Sequence, residues 1–216
     1  MHIPPISTWR DRLPSFVDRL IDNIVCPLTG SVTRLDAQWR GIAIGKGCRF
    51  YGRPILRRSP GSRIIIGAGS EFRSSQTSNL LGLDRPCYIS TNHSGARIEI
   101  AESCGFSATV ICAEVEIVFG RNVWCGVNTL ITDTDGHPVD AQKRLAGEPG
   151  GAIPVRIEDN AWLGMNVVVL KGVTIGRNSV VAANSVVTNS IPANVIAAGY
   201  PARVVQQIVP TSGVIR

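Results

Sequence analysis

The segment Ile131-Thr-Asp-Thr-Asp-Gly-His-Pro-Val-Asp140 carries the residue types in this chain best suited to proton transfer. His137 is one of three histidines; His2 stands near the start of the chain and His93 in a polar turn. Imidazole titrates near neutrality, and a neighbouring carboxylate can orient the ring and raise its basicity, as a general base acting on a hydroxyl requires. Asp133 and Asp135 precede His137 and Asp140 follows it, while Gly136 and Pro138 constrain the backbone on either side. Either Asp133 or Asp135 could orient the ring. A merely solvated loop histidine is the competing reading.

A loop can aim a base only if a rigid frame carries it. Ile157, Leu163, Val169, Ile175, Val181 and Val187 recur every six residues. On an α-helix six residues turn ~600°, so these side chains would leave any one face. On a strand they would share a face, yet Gly and Asn every few residues forbid one long strand. The period therefore specifies a solenoid of short flat segments joined by tight corners. Val155, Ala161, Val167, Val173, Ser179 and Ser185 stand two places before each aliphatic and are slender enough for a narrow tube. Asn160, Asn166, Gly172, Asn178, Asn184 and Ser190 stand three places after, mostly types that accept positive φ at a corner.

Phe119, Cys125 and Ile131 hold the same register upstream, with Asn122 and Asn128 at the corners. Weaker echoes occur at Ile44 and Phe50, at Ile66 and Phe72, and at Ile100, Phe106 and Cys112. Residues 74–97 and 132–154 interrupt the period, and excursions of that length in a compact fold are usually functional. The second contains His137.

With 216 residues and 44% hydrophobic content the chain can bury one sizeable core. The expected organisation is a helical cap over residues 1–40, a β-helix over 41–205 with insertions at about 74–97 and 132–154, and a tail over 206–216. Pro14 suits a first helical position, and Phe16, Val17, Leu20, Ile21 and Ile24 recur at helical spacing up to Pro27. That helix would cap the open end of the first coil or lie at a membrane interface. No apolar run of ~18 residues and no secretory apolar core follow Met1, which predicts a cytoplasmic protein. Six irregularly spaced cysteines, with Cys112 and Cys125 at inward positions, read as small core residues in a reducing compartment. Few His and no CxxC pair leave no metal site in the expectation.

The formal net charge is +6, and its placement is uneven. Residues 1–75 hold twelve Lys/Arg against five Asp/Glu, whereas the remainder holds ten against eleven. The excess reads as a solvated basic face or as attraction to an anionic membrane surface or a lipid-diphosphate-linked substrate. Few aromatics and no binding motif argue against nucleic acid.

Gly136-His137-Pro138-Val139, Trp162-Leu-Gly-Met-Asn-Val-Val-Val-Leu-Lys-Gly-Val-Thr-Ile-Gly176 and Ile191-Pro-Ala-Asn-Val-Ile-Ala-Ala-Gly-Tyr-Pro-Ala-Arg203 together resemble the hexapeptide-repeat acyltransferases. The likeness is to the maltose and galactoside O-acetyltransferases and the polysaccharide O-acetyltransferases, over about residues 117–205. It implies an all-β, left-handed parallel β-helix, an exception to the usual right-handed crossover, assembled as a homotrimer with acetyl-CoA in a groove between subunits. The implied reaction is acetyl transfer to a hydroxyl of a saccharide or polysaccharide precursor by direct attack.

By the same resemblance His137 is the base and Trp162 lies beside the thioester. Gly164, Ala183 and Thr188 follow the pantetheine arm, and Arg203 lies near the CoA phosphates. Asn189 stands where sugar-acetylating relatives often have Lys, and Met165 where a small polar residue is common. Ser107, Glu114 or Glu116, and Asn128 fall near the acceptor. An antibiotic or amino-sugar acceptor suits the same mechanism. A non-catalytic scaffold and a zinc hydratase, which needs three His ligands, are the readings from other classes.

Overall fold

The computed structural model describes residue 24 and residues 26–209. Among the described residues twenty strands, numbered in chain order, wind into a prism with three faces of mostly parallel strands. The first face holds β1 (Ala43–Ile44), β4 (Arg63–Ile66), β7 (Arg97–Ile100), β10 (Glu116–Phe119), β13 (Val155–Ile157) and β16 (Thr174–Ile175). The second holds β2 (Arg49–Tyr51), β5 (Glu71–Arg73), β8 (Gly105–Ser107), β11 (Trp124–Cys125), β14 (Trp162–Leu163), β17 (Val180–Val181), β19 (Val195–Gly199) and β20 (Ala202–Gln207). The third holds β3 (Ile55–Arg57), β6 (Tyr88–Thr91), β9 (Val110–Ala113), β12 (Leu130–Thr132), β15 (Val168–Val169) and β18 (Val186–Val187). β20 turns back antiparallel on β19; the other pairings are parallel.

Parallel register stacks the inward side chains in columns. Phe50, Phe72, Phe106, Cys125, Leu163, Val181 and Ala197 form the column of the second face. Phe50 and Phe72 stack at 5.3 Å between centroids, Phe72 and Phe106 at 5.0 Å, and Phe119 meets Phe106 edge-on at 5.4 Å. Early coils are thus filled by phenyl rings and late coils by aliphatics. Burying each such side chain stabilises by roughly 1.5–3 kcal/mol, so the columns rather than the two- to six-residue strands hold the prism.

The corners have the backbone the asparagines suggested. Asn122, Asn128, Asn160, Asn166, Asn178 and Asn184 all take positive φ, and the amides of Asn122, Asn160, Asn178 and Asn194 hydrogen-bond one to the next up one edge. The glycines after inward aliphatics serve another purpose. A Cβ on Gly176 would lie 2.4 Å from the Ala193 nitrogen, so adjacent coils stack this closely only with no side chain there.

Three expectations need correction. Cys112 is only half-buried, because a corner at Ala108 (φ 48°) removes one residue from the hexad and turns Ile111 inward against Ile131. The range 74–97 is not all excursion: β6 lies inside it, with Ile89 inward, so the departure spans residues 74–87. Pro27 does not end the N-terminal helix, since residues 26–39 are helical (α1). Its coil-facing stripe is Gly30, Thr33 and Ala37, small residues that do not register as hydrophobic periodicity. From this helix Arg34 donates to the carbonyls of Gly45 and Cys48, on the edge of the first coil. Pro14, Phe16, Val17, Leu20 and Ile21 lie outside the described residues.

Cys48, Cys87, Cys104 and Cys125 are buried. Desolvation raises their thiol pKa values, that of Cys104 to about 11, which leaves them packing groups rather than nucleophiles.

Candidate active site

The second excursion leaves the prism after β12 and returns at β13 on an antiparallel stalk. Thr134 bridges Ala152, the Asp135 N–H donates to the Gly151 carbonyl at 3.0 Å, and the Ile153 N–H donates to the Asp133 carbonyl at 2.8 Å. A short helix follows, α2 (Ala141–Leu145), whose N-cap is Asp140: its carboxylate accepts from the N–H groups of Gln142 and Lys143. Arg144 then reaches back and donates to the carbonyls of Pro138 and Val139 at 2.8 and 3.1 Å. Gly150 closes the loop so tightly that a Cβ there would lie 2.6 Å from the His137 nitrogen. The backbone of His137 is thereby fixed while its side chain stays exposed.

Arg144 and Gly150 hold the backbone around His137, and the sequence did not single them out. A glycine before Gly151 and an arginine in a polar loop look like ordinary loop composition, and only the folded stalk brings them to His137. Gly150→Ala is therefore expected to displace the His137 peptide and, with His137 acting as the base, to lower turnover by roughly 10-fold or more, since small misplacements of a base are costly. The coils should melt where they did before. Steady-state kinetics with a thermal melt check this; unchanged turnover in Gly150→Ala would show that the close approach does not aim His137.

The expectation that Asp133 or Asp135 orients the imidazole is corrected. Asp133 is fully buried, and its oxygens accept from the N–H groups of Glu114, Val115 and Glu116, each at 2.7 Å. It ties the excursion to a corner of the preceding coil. Asp135 pairs with Lys171 at 2.6 Å. Among the described residues the imidazole that has a carboxylate neighbour is His93, 3.6 Å from Glu114. Glu114 also accepts from the Thr134 hydroxyl at 2.8 Å, so it links the excursion's base to His93. Glu116 is engaged by Arg97, with Arg156 at 3.8 Å.

The residues expected along CoA lie on the last coils. Gly164 packs on Ala183, where a Cβ would stand 2.6 Å from the Ala183 nitrogen, so these two are in contact. Trp162 is 54% exposed on β14. Thr188 donates to the Asn189 side chain at 2.9 Å, and both are exposed after β18. Arg203 is exposed on β20 and hydrogen-bonds the Ala202 carbonyl. Met165 packs with Leu83, Ala108 and Val127, so the first excursion covers that corner. Ser107 is buried and within 3.2 Å of the Asn79 amide. Asn128 sits at its corner with its N–H donated to the Ser107 carbonyl. Among the described residues no group of three or more His, Cys, Asp or Glu comes together that could hold a metal ion.

Residues 154–189 match the bacterial transferase hexapeptide family of six repeats. Galactoside O-acetyltransferase of Escherichia coli K12 is 39% identical over 128 residues, 58% of this chain and 60% of that protein. The repeats of this segment are similar to those of sugar O-acetyltransferases. Galactoside O-acetyltransferase of Lactococcus lactis is 44% identical over 103 residues, 48% of each chain. The chain thus spans about half to three-fifths of the length of the curated relatives it matches. A galactoside acetyltransferase solved in complex with coenzyme A superimposes with a TM-score of 0.54 at 25% identity, covering 96% of this chain and 86% of that one. A hexapeptide-repeat acetyltransferase of Vibrio cholerae, solved with acetyl-CoA, gives 0.51 at 24% identity over 97% and 94%. The prism is the left-handed parallel β-helix of that fold.

Proposed function

We propose that this hexapeptide-repeat protein transfers acetyl from acetyl-CoA to a hydroxyl of a saccharide or polysaccharide precursor in the cytoplasm. One observation carries the reading: the exposed imidazole of His137 rides on a stalk whose backbone is pinned by Arg144 and Gly150, in a chain whose repeats match sugar O-acetyltransferases. The acceptor oxygen attacks the thioester carbonyl carbon as His137 takes the hydroxyl proton; the C–S bond then breaks and CoA leaves as the thiol. No covalent enzyme intermediate is needed. The comparison structures with bound CoA support the co-substrate, and His137 as base rests on its placement.

The test is acetyl-CoA consumption with mass analysis of the acceptor, across neutral, acidic and amino sugars, nucleotide sugars and hydroxylated antibiotics. Acceptor-dependent release of CoA supports the reading. Folded protein that consumes no acetyl-CoA with any of them defeats it and favours a non-catalytic solenoid.

Arg203 is proposed to meet a CoA phosphate, where a planar guanidinium suits the oxygens. Arg203→Ala should then weaken acetyl-CoA binding by about ten- to a hundredfold, and a short pantetheine thioester much less. Equal losses for both thioesters, measured by calorimetry, would place Arg203 elsewhere. A homotrimer, with each groove shared by two chains, is the proposed assembly; a stable, active monomer in sedimentation would exclude it.

We also propose peripheral contact with an anionic membrane surface. Exposed Ile24, Leu28, Val32, Leu35 and Trp39 recur at helical spacing, and Arg40, Arg53 and Arg57 line a groove at the end of α1. No described helix is long and apolar enough to cross a membrane. Equal flotation with anionic and zwitterionic vesicles would reject the contact.

A further inference from the structure

A cavity of about 280 Å³ opens on the outer face of the second sheet, walled by Arg49, Glu71, Arg73, Ser107 and Trp124 around the bare backbone of Gly105. Parallel register lines up its outward positions, with Arg49 beside Glu71, Glu71 beside Gly105, and Gly105 beside Trp124. Because Gly105 has no side chain, the indole of Trp124 leans across it, with Cε3 3.6 Å from where a Cβ would stand. One wall is therefore a flat aromatic surface on a residue 63% exposed. The volume is near the low end for ligand pockets, which suits one monosaccharide ring better than an extended chain.

The opposite wall is charged. Glu71 accepts from Arg49 Nη2 at 2.8 Å with one oxygen and from Arg73 Nη2 at 2.5 Å with the other. Arg73 spends its second arm on the Ser78 carbonyl and lies 4.6 Å over the Tyr51 ring. Two guanidiniums against one carboxylate leave an excess positive charge, and both Nη atoms of Arg73 are engaged. Arg49 is 61% exposed, and its Nε and Nη1 have no partner among the described residues. Asn79, from the first excursion, closes the Ser107 end.

We infer that this cavity receives a saccharide ring laid on the Trp124 indole with an acidic substituent held by Arg49, so that the acceptor is an acidic sugar rather than a neutral one. The inference rests on the acetyl-transfer reading above and adds the class of acceptor. Polarised C–H groups of a pyranose match the negative face of an aromatic ring. The free donors of a guanidinium match the two oxygens of a carboxylate, or those of a phosphate. A neutral sugar would use the indole and leave the charge unmatched.

Binding is measured without acetyl-CoA, by calorimetry with methyl glucuronide, methyl glucoside and glucose 6-phosphate. The glucuronide should bind at least about tenfold more tightly than the glucoside. Arg49→Gln should collapse that ratio to near one with glucoside affinity unchanged, Arg49→Lys should restore part of it, and Trp124→Ala should weaken both ligands. Arg49-dependent preference for the phosphate over the glucuronide would keep the inference and name phosphate as the acidic group. Equal binding of glucuronide and glucoside, or a preference that survives Arg49→Gln, would overturn it. The two readings fail separately. Charge-selective binding with no acetyl transfer would defeat only the reaction, and transfer to neutral sugars regardless of Arg49 would defeat only the acceptor class.

Discussion

Replacing His137 with Ala or Asn is expected to lower acetyl transfer by about 10²-fold or more, about 2.7 kcal/mol of transition-state stabilisation. The coils should be untouched, because His137 is exposed on a stalk outside the prism and its imidazole has no hydrogen-bond partner among the described residues. Acetyl-CoA affinity should hold as well, since the residues proposed to meet CoA lie on β14, β20 and the corners near them. A deletion that removes rate but neither fold nor co-substrate affinity is the signature of a group acting on the reacting proton. His93 sets a control. Among the described residues it has a carboxylate neighbour and His137 has none, so if His93→Ala lost the activity while His137→Ala kept it, the base would be assigned to the Glu114–His93 pair instead. Near-normal turnover in both variants, with the protein folded, would remove imidazole catalysis from the proposal.

The frame was legible because a period of six has one structural solution, and from Ile157 to Val187 nothing interrupts it. Asn at the corners added a second, independent signal, confirmed by the positive φ at Asn160, Asn166, Asn178 and Asn184. Upstream the coils were harder to read. Leu56, Ile89 and Ile111 share one column but are separated by insertions that are not multiples of six. At Ala108 one residue is missing rather than added, which shifted the inward position from Cys112 to Ile111. The length of α1 is not legible in the sequence because its buried stripe is Gly30, Thr33 and Ala37, while its large apolar residues face outward. In the site, proximity in sequence misled. Asp133 and Asp135 flank His137 along the chain, but the stalk directs one carboxylate to the preceding coil and the other to Lys171. Contacts made across coils, such as Arg49 with Glu71 and Leu83 with Met165, have no sequence signature at all.

Asp133→Ala is expected to destabilise the fold by about 3–5 kcal/mol, a fall of roughly 10 °C in thermal midpoint for a chain of this size. The carboxylate is fully buried and takes all three N–H groups from Glu114 to Glu116, so the truncation strands three donors at one corner and opens a void beside them. Asp133→Asn is nearly the same size yet should also be costly, because its amide NH₂ would face N–H groups where an oxygen accepted before. Turnover should fall in both variants, since the corner they release also anchors the base of the His137 stalk. The ordering of effects separates a structural role from a catalytic one. If Asp133 oriented the imidazole, Asp133→Asn would lower turnover at an unchanged midpoint; if it holds the corner, the midpoint must fall in Asn and Ala variants alike, and acetyl-CoA protection of the surviving fold should persist. A melting curve for Asp133→Asn that overlays the parent's would mean that three backbone donors find other partners at no cost, which burial at this corner does not allow.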